Sequence, residues 1–349
     1  MMTCWVPLAL DACLWFFVLN DDDEITEMNQ YWDLVNLDSM CIAKGRTLGE
    51  TFRRSGLHIN IRHFTVPSWS EKSHELLHSK YPRTLHRSKS PASGLLRLSD
   101  ELINLIFGHV GRLSDAACLC LVDGRLLAIG FTRVLQLQKL MFADWTDDRV
   151  VCLGGSVRDD DFPESLQELV QKRLEGWPTI NPADFTNRFH FLVSNTFIIV
   201  DESNDRRRYS HERQDLGADG DSYKMLVTPR YESSHPWVLC NLSKGEYVQA
   251  TAVAALTGND GSTPFITGAF NLGHALLSRI CWSSDGSIAM GYRGELHRGP
   301  WSGDRFEVTT VDKLQTGVEW KNISGEVVDV LSKISLYEYD NILQDPQDL

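Results

Sequence analysis

Residues able to do chemistry are thinly spread along this chain. It holds 11 histidines and eight cysteines among 349 residues. His74 and His78 stand at i, i+4, and on a helix they would turn two imidazoles to one face, where a divalent metal can be held. No further ligand follows them closely, so an ordinary pair of surface histidines is the expectation. His190, His211, His235, His274 and His297 stand alone and are expected to be satisfied singly. Cys4, Cys13, Cys41, Cys118, Cys120, Cys152, Cys240 and Cys281 form no C-x-x-C pair. Most lie in apolar runs, as small buried hydrophobes do in a reducing compartment. There is no G-x-S-x-G to raise a nucleophilic serine and no G-x-x-x-x-G-K-[ST] to grip phosphate. Gly291, Gly294, Gly299 and Gly303 crowd one region without a following Lys-Ser/Thr. These readings lead to a protein that acts by binding, with no catalytic residues, no metal and no cofactor of its own.

Composition narrows the partners. With 42% hydrophobic and 23% charged residues the chain is globular on average, and its length indicates one sizeable domain plus smaller parts. A net charge of -13 argues against nucleic acid, since phosphate contacts need a basic face. Residues 1–43 carry eight acidic residues and no Lys or Arg. Within them Cys4 to Leu19 is apolar, yet Asp11 interrupts it, no basic residue precedes it and it is short for a bilayer span. A buried or partner-docked segment is expected there, with no membrane involvement. Asp23 to Ala43 reads as one amphipathic helix with Ile25, Met28, Trp32 and Val35 on a common face. Residues 44–93 reverse the charge, ten Lys or Arg against three acidic, and read as a basic, Ser/His-rich disordered linker.

Residues 94–135 hold the strongest pattern. Ser99 is a good N-cap, and Asp100 and Glu101 suit the positive end of a helix dipole. Leu102, Ile103, Ile106, Phe107 and Val110 then recur at helical spacing. Gly111 fits a left-handed stop, Ser114-Asp115 offers a second cap, and Leu126 to Ile129 is a third short run ending at Gly130. Three short helices would leave more apolar surface than so small a unit can bury, which marks a protein interface.

Leu98-Ser99-Asp100-Glu101-Leu102-Ile103-Asn104-Leu105-Ile106-Phe107, then Leu113-Ser114-Asp115, then Leu119-Cys120-Leu121-Val122, resemble the F-box family in order and spacing. Ser99 stands where the family has Pro, and Asp123-Gly124 where it has Cys-Lys. The resemblance covers about 40 residues, matching at about a dozen positions. It implies a docking device for the Skp adaptor of a cullin-type ubiquitin ligase, with Leu98, Leu102, Ile103, Ile106, Phe107, Val110, Leu121 and Val122 meeting the adaptor. A separate domain would recruit an unknown protein substrate, and the setting would be cytoplasmic and/or nuclear.

After this unit the period turns strand-like. Strands are expected at Arg149 to Leu153, Phe189 to Val200 (two arms), Met225 to Thr228, Trp237 to Leu242, Tyr247 to Ala254, Ala275 to Trp282, Ser287 to Tyr292 and Phe306 to Val311. Helices are expected at Pro163 to Leu174 and, capped by Ser324, Glu326 to Ile334. Residues 136–345 are thus an α+β domain with a mainly antiparallel sheet and flanking helices. The polar stretch from Arg206 to Asp221 belongs on an exposed loop. Trp145-Thr146-Asp147-Asp148-Arg149-Val150 and Trp301-Ser302-Gly303-Asp304-Arg305-Phe306 share Trp-x-x-Asp-Arg before an apolar strand. A repeated way of entering a strand explains this better than two binding loops, and six positions are too few to establish a duplication. These phrases, with His235 to Val248, also resemble the large F-box proteins of filamentous fungi. The competing reading is a β-rich ligand-binding module or a hydrolase whose helical segment belongs to its own core.

Overall fold

The computed structural model describes residues 30–53, 61–80, 94–175, 187–200, 220–265 and 270–339. Its strands are β1 (Trp32–Asn36), β2 (Cys41–Ala43), β3 (Val150–Gly154), β4 (Ile198–Ile199), β5 (Trp237–Asn241), β6 (Glu246–Gln249), β7 (Cys281–Trp282), β8 (Phe306–Thr310) and β9 (Lys321–Asn322). Its α-helices are α1 (Leu48–Arg53), α2 (Glu71–Lys80), α3 (Asp100–His109), α4 (Leu113–Cys120), α5 (Gly124–Phe142), α6 (Glu164–Leu174), α7 (Arg188–Thr196), α8 (Gly220–Val227), α9 (Ala250–Ala254), α10 (Leu272–Ile280) and α11 (Ser324–Tyr339). The fold is α+β, with two sheets ordered β4-β2-β1-β3-β7 and β8-β5-β6-β9.

The two sheets follow one plan. Trp32, Leu34, Asn36 and Leu37 recur as Trp237, Leu239, Asn241 and Leu242. Asn36 pairs with Cys41 and Val150, and Asn241 pairs in the same way with Glu246 and Phe306. The outer strand is parallel in both, Cys41 against Ile198 and Glu246 against Lys321. Each half also lends backbone to the other's sheet: Cys281 pairs with Cys152, and at the matching place Thr65 pairs with Val308. Arg149 faces Arg305 across an antiparallel bridge, so a pseudo-twofold axis passes between them.

The Trp-x-x-Asp-Arg echo is part of this duplication. Asn36 Nδ2 donates to Asp148 at 2.9 Å, while its Oδ1 accepts from the backbone of Asp38 and Ser39. Asn241 Nδ2 donates to Asp304 at 2.8 Å, and its Oδ1 accepts from Ser243 and Lys244. Trp145 and Trp301 are buried in one core shared by both halves. The turn residues match as well. Met40 and Gly245 are both left-handed, at φ 56° and 65°, as are Asp147 and Gly303, at 67° and 81°. Gly303 is required twice over, because a Cβ there would also lie 2.5 Å from Leu166. The expectation of a strand-entry scaffold matches this geometry, while the six-residue echo, with its three identities, is a fragment of a longer repeat.

Several expectations are corrected. Within Asp23 to Ala43 the described part is β1 and β2, not a helix, because Trp32 and Leu34 face the shared core while Val35 faces a second one with α6 and α7. A strand buried on both faces has no stripe to distinguish it. Residues 44–53 and 61–80 are not a linker, since Leu48, Phe52, Ile61 and Phe64 are core; the rest of the expected linker, residues 54–60 and 81–93, lies outside the described set. Phe189, Leu192 and Val193 bury one face of helix α7, where Asn187 caps by accepting from His190 N–H, so the two arms expected there reduce to β4. Met225 lies in α8, and Ala275 to Ile280 in α10 ahead of the two-residue β7. Ser287 to Tyr292 is irregular. The loop expected from Arg206 to Asp221 lies mostly outside the described residues. The helices at Glu164 and Ser324 occur as expected. Helices α2 to α5 are inserted between Thr65 and Trp145, inside the first half. Residues 136–345 are therefore not a domain apart from what precedes them.

The halves are joined through His274 in α10. Its Nδ1 accepts from Asn271 N–H at 3.2 Å and its Nε2–H donates to Phe52 O in α1 at 3.1 Å, which requires the neutral ring. Burial pushes its pKa down to about 4, against the raising effect of the Phe52 carbonyl. A base depressed from 6.5 stabilises fully above 6.5, and that stability is lost as pH falls towards 4. Urea midpoints should fall over this window, and His274→Gln should flatten the slope while lowering stability at pH 7. Trp301 donates from Nε1 to Glu246 at 2.7 Å beneath the Arg279 guanidinium. Trp301→Ala should cost about 3–5 kcal/mol in chemical denaturation, as a fully buried aromatic does.

Candidate functional site

The inserted helices form a unit with its own core. Ile103, Phe107, Leu113, Ala116, Ala117, Cys120, Leu126 and Leu127 close on Phe131 and Val134, with Leu77 of α2 and Leu226 and Val227 of α8. Asp123 caps α5 by accepting from Arg125 N–H at 2.8 Å. The Arg125 side chain then reaches Leu96 O, Leu98 O and Asp100, tying the entry turn to the third helix. Helix α3 ends without a left-handed Gly111: Val110 is extended, and Arg133 donates to its carbonyl at 2.9 Å. Ser99 is at the N-cap position but makes no cap bond, and Ser114 lies inside α4. The third helix, expected to stop at Gly130, runs 19 residues from Gly124 to Phe142.

The eight expected docking residues divide by this packing. Leu102 and Ile106 are exposed on α3, at 47% and 36%, and Val122 stands out at 70%. Leu98, Val110 and Leu121 are half-buried against the unit's own core. Ile103 and Phe107 are wholly interior, so they are corrected from docking residues to core residues. Leu105, 61% exposed, completes a stripe with Leu102 and Ile106 at i, i+3 and i+4, which sequence reasoning missed. The signal was its spacing from Leu102. Among the described residues no helix is long and apolar enough to cross a membrane.

Two groupings of titratable side chains lie elsewhere. Buried Asp33 accepts from Lys44 Nζ at 3.2 Å and Gly45 N–H at 2.9 Å, and His190 Nε2 approaches it at 3.4 Å. Burial alone would raise this carboxyl, but these donors hold it below its ordinary value. Lys44 also donates to Ser194 at 3.0 Å. Lys44 thus offers protons to Asp33 and Ser194 together, and the cluster serves to neutralise a buried carboxylate. His235 meets Asp312, and His274 is internal, so the scattered histidines do not converge; His211 lies outside the described residues.

The second grouping is on α2. Spacing alone sees two histidines, yet residues 74–78 read His-Glu-Leu-Leu-His, an H-E-x-x-H that the sequence reading passed over. The motif lies on a helix beside an open groove of about 530 Å³. No protein-family model, curated protein or solved structure matches the chain.

Helices α3 and α5 meet closely at Gly130. A Cβ on Gly130 would stand 2.1 Å from Phe107 Cζ, and the ring is fully enclosed. Gly130→Ala should therefore destabilise by about 1–3 kcal/mol or more through overpacking. Adding Phe107→Leu should restore part of the loss, since the two changes share one volume. A thermal melt of each single and of the double variant measures this coupling.

Proposed function

We propose that this chain is a substrate-recruiting adaptor of a Skp-cullin-F-box type ubiquitin ligase, acting through protein binding. The observation that carries the reading is the stripe of Leu102, Leu105 and Ile106. It lies on a helix whose other side, Ile103 and Phe107, holds the unit together. Apolar side chains spaced i, i+3, i+4 and left uncovered are what a helix offers to a partner's groove. The resemblance to the F-box pattern names the Skp adaptor as that partner and a cullin beyond it. The duplicated domain, with its separate core, is the platform for the protein substrate, and the setting is cytoplasmic and/or nuclear.

The full chain should retain the Skp adaptor in a pull-down. Leu102→Asp with Ile106→Asp should reduce affinity by about a hundredfold or more, because burying an unpaired carboxylate costs several kcal/mol. Both positions are exposed, so the variant should keep the melting temperature of the parent. Failure of the parent to bind, or full binding by a folded double variant, would exclude the adaptor reading.

A further inference from the structure

Helix α2 carries Glu71, His74, Glu75 and His78 at i, i+3, i+4 and i+7, one face of a helix. Leu77, fully buried in the core of the helical unit, fixes the helix rotation. At its first turn Ser70 and Ser73 both donate to Glu232, which also accepts from Arg230. The two imidazoles stand with Nε2 atoms 3.2 Å apart and ring centroids at 4.3 Å. The Phe131 ring meets His74 edge-on at 4.9 Å and His78 at 6.4 Å, giving both rings a common backing.

Two imidazole nitrogens bound to one tetrahedral zinc ion, each at 2.0–2.1 Å, are about 3.3 Å apart. The observed separation is therefore that of two ligands sharing an ion. Without metal the same spacing is met by one ring donating its Nε2–H to the other; with metal that ring would carry its proton on Nδ1 instead, both rings staying neutral. Glu71, Glu75 and His74 line the groove together with Trp69, Ser70 and Lys313, and the two carboxylates are exposed. Lys313 Nζ is engaged by Ser68 at 2.7 Å.

We propose that His74 and His78 are the protein ligands of a divalent zinc-class ion, completed by water and by the carboxylate of Glu71 or Glu75 turned towards it. Among the described residues no set of three His, Cys, Asp or Glu side chains already stands together, so the ion is held by two fixed ligands and remains exchangeable. A catalytic zinc takes three protein ligands, and no hydrolytic step is assigned to this one. The site is independent of adaptor docking, because α2 and the stripe on α3 are different elements.

The test is calorimetric titration of the chelator-treated full chain with zinc chloride at pH 7.5. It should show one saturable site whose occupation raises the melting temperature. His74→Asn and His78→Gln should each weaken that site by about tenfold or more while leaving the metal-free melting temperature near the parent's. Glu71→Gln combined with Glu75→Gln should weaken it less. Zinc-edge absorption spectroscopy of the loaded parent protein, which needs no variant, should report two imidazole ligands with oxygen donors and no sulfur. No saturable uptake by the parent, unchanged affinity in folded His74→Asn and His78→Gln, or a shell without two imidazoles would each overturn the proposal.

Discussion

The larger domain is organised about the antiparallel contact of Arg149 with Arg305. Two copies of one strand-turn-strand unit meet there, and each lends a short stretch of backbone to the other's sheet, Cys281 and Trp282 from the second half and Thr65 from the first. A strand's side chains alternate, so a slip of one residue in either copy would turn Asn36 or Asn241 away from its aspartate. Both amides are fully buried, with every hydrogen-bonding atom used. Burial raises the carboxyls of Asp148 and Asp304, against the lowering effect of the amides that donate to them. Without an amide, a buried carboxylate and two backbone N–H groups would lose their partner, at about 1–3 kcal/mol for each group. Register at the axis is therefore set by polar satisfaction as well as by apolar burial.

The halves differ where they meet solvent. At the matching outer strand the second half has Lys321, which reaches Glu246 and Glu326, and the first half has Ile198 and Ile199, exposed at 67% and 52%. A charged residue blunts a sheet edge, whereas apolar ones leave it open to association. At the axis Arg149 and Arg305 both lean on Asp38, for which the second half has Ser243. The longest difference is between the lending strand and the buried tryptophan: from Thr65 to Trp145 in the first half, from Cys281 to Trp301 in the second. The entire helical unit occupies the longer connection.

That insertion has its own division of labour. Ile103 and Phe107 face α5, and only a glycine at position 130 lets the ring approach so closely. The remaining face of α3 is then left to Leu102, Leu105 and Ile106. Helix α8, from the segment joining the two halves, adds Leu226 and Val227 to the same core, and Gln138 of α5 donates to Leu226 O at 2.7 Å. The unit is thus anchored to the duplicated domain by buried apolar and polar contacts, as a docking element carried on a rigid platform would need to be.

The sequence by itself determined the α+β class, the helices α3, α4 and α6, the strands β3, β5 and β8, and the shared Trp-x-x-Asp-Arg entry into β3 and β8. Local signals are sufficient there: caps, clean periods, and tryptophans set beside turn residues. It did not disclose β1 as a strand, because a segment buried on both faces has no alternation to read. It made α7 and α10 look extended, because short apolar runs fit either period until length and caps decide. Spacing brought Ile103 and Phe107 into the docking set with Leu102, since all three share a helical pattern. Which of them face inward was decided only when α5 covered one side of α3. The duplication was likewise hidden. Four identities in the first strand-turn and three in the second are weak as strings, but they become one repeated object when Thr65 and Cys281 take matching places in opposite sheets. Pairings between residues more than a hundred positions apart belong to the tertiary structure, because no local preference encodes them.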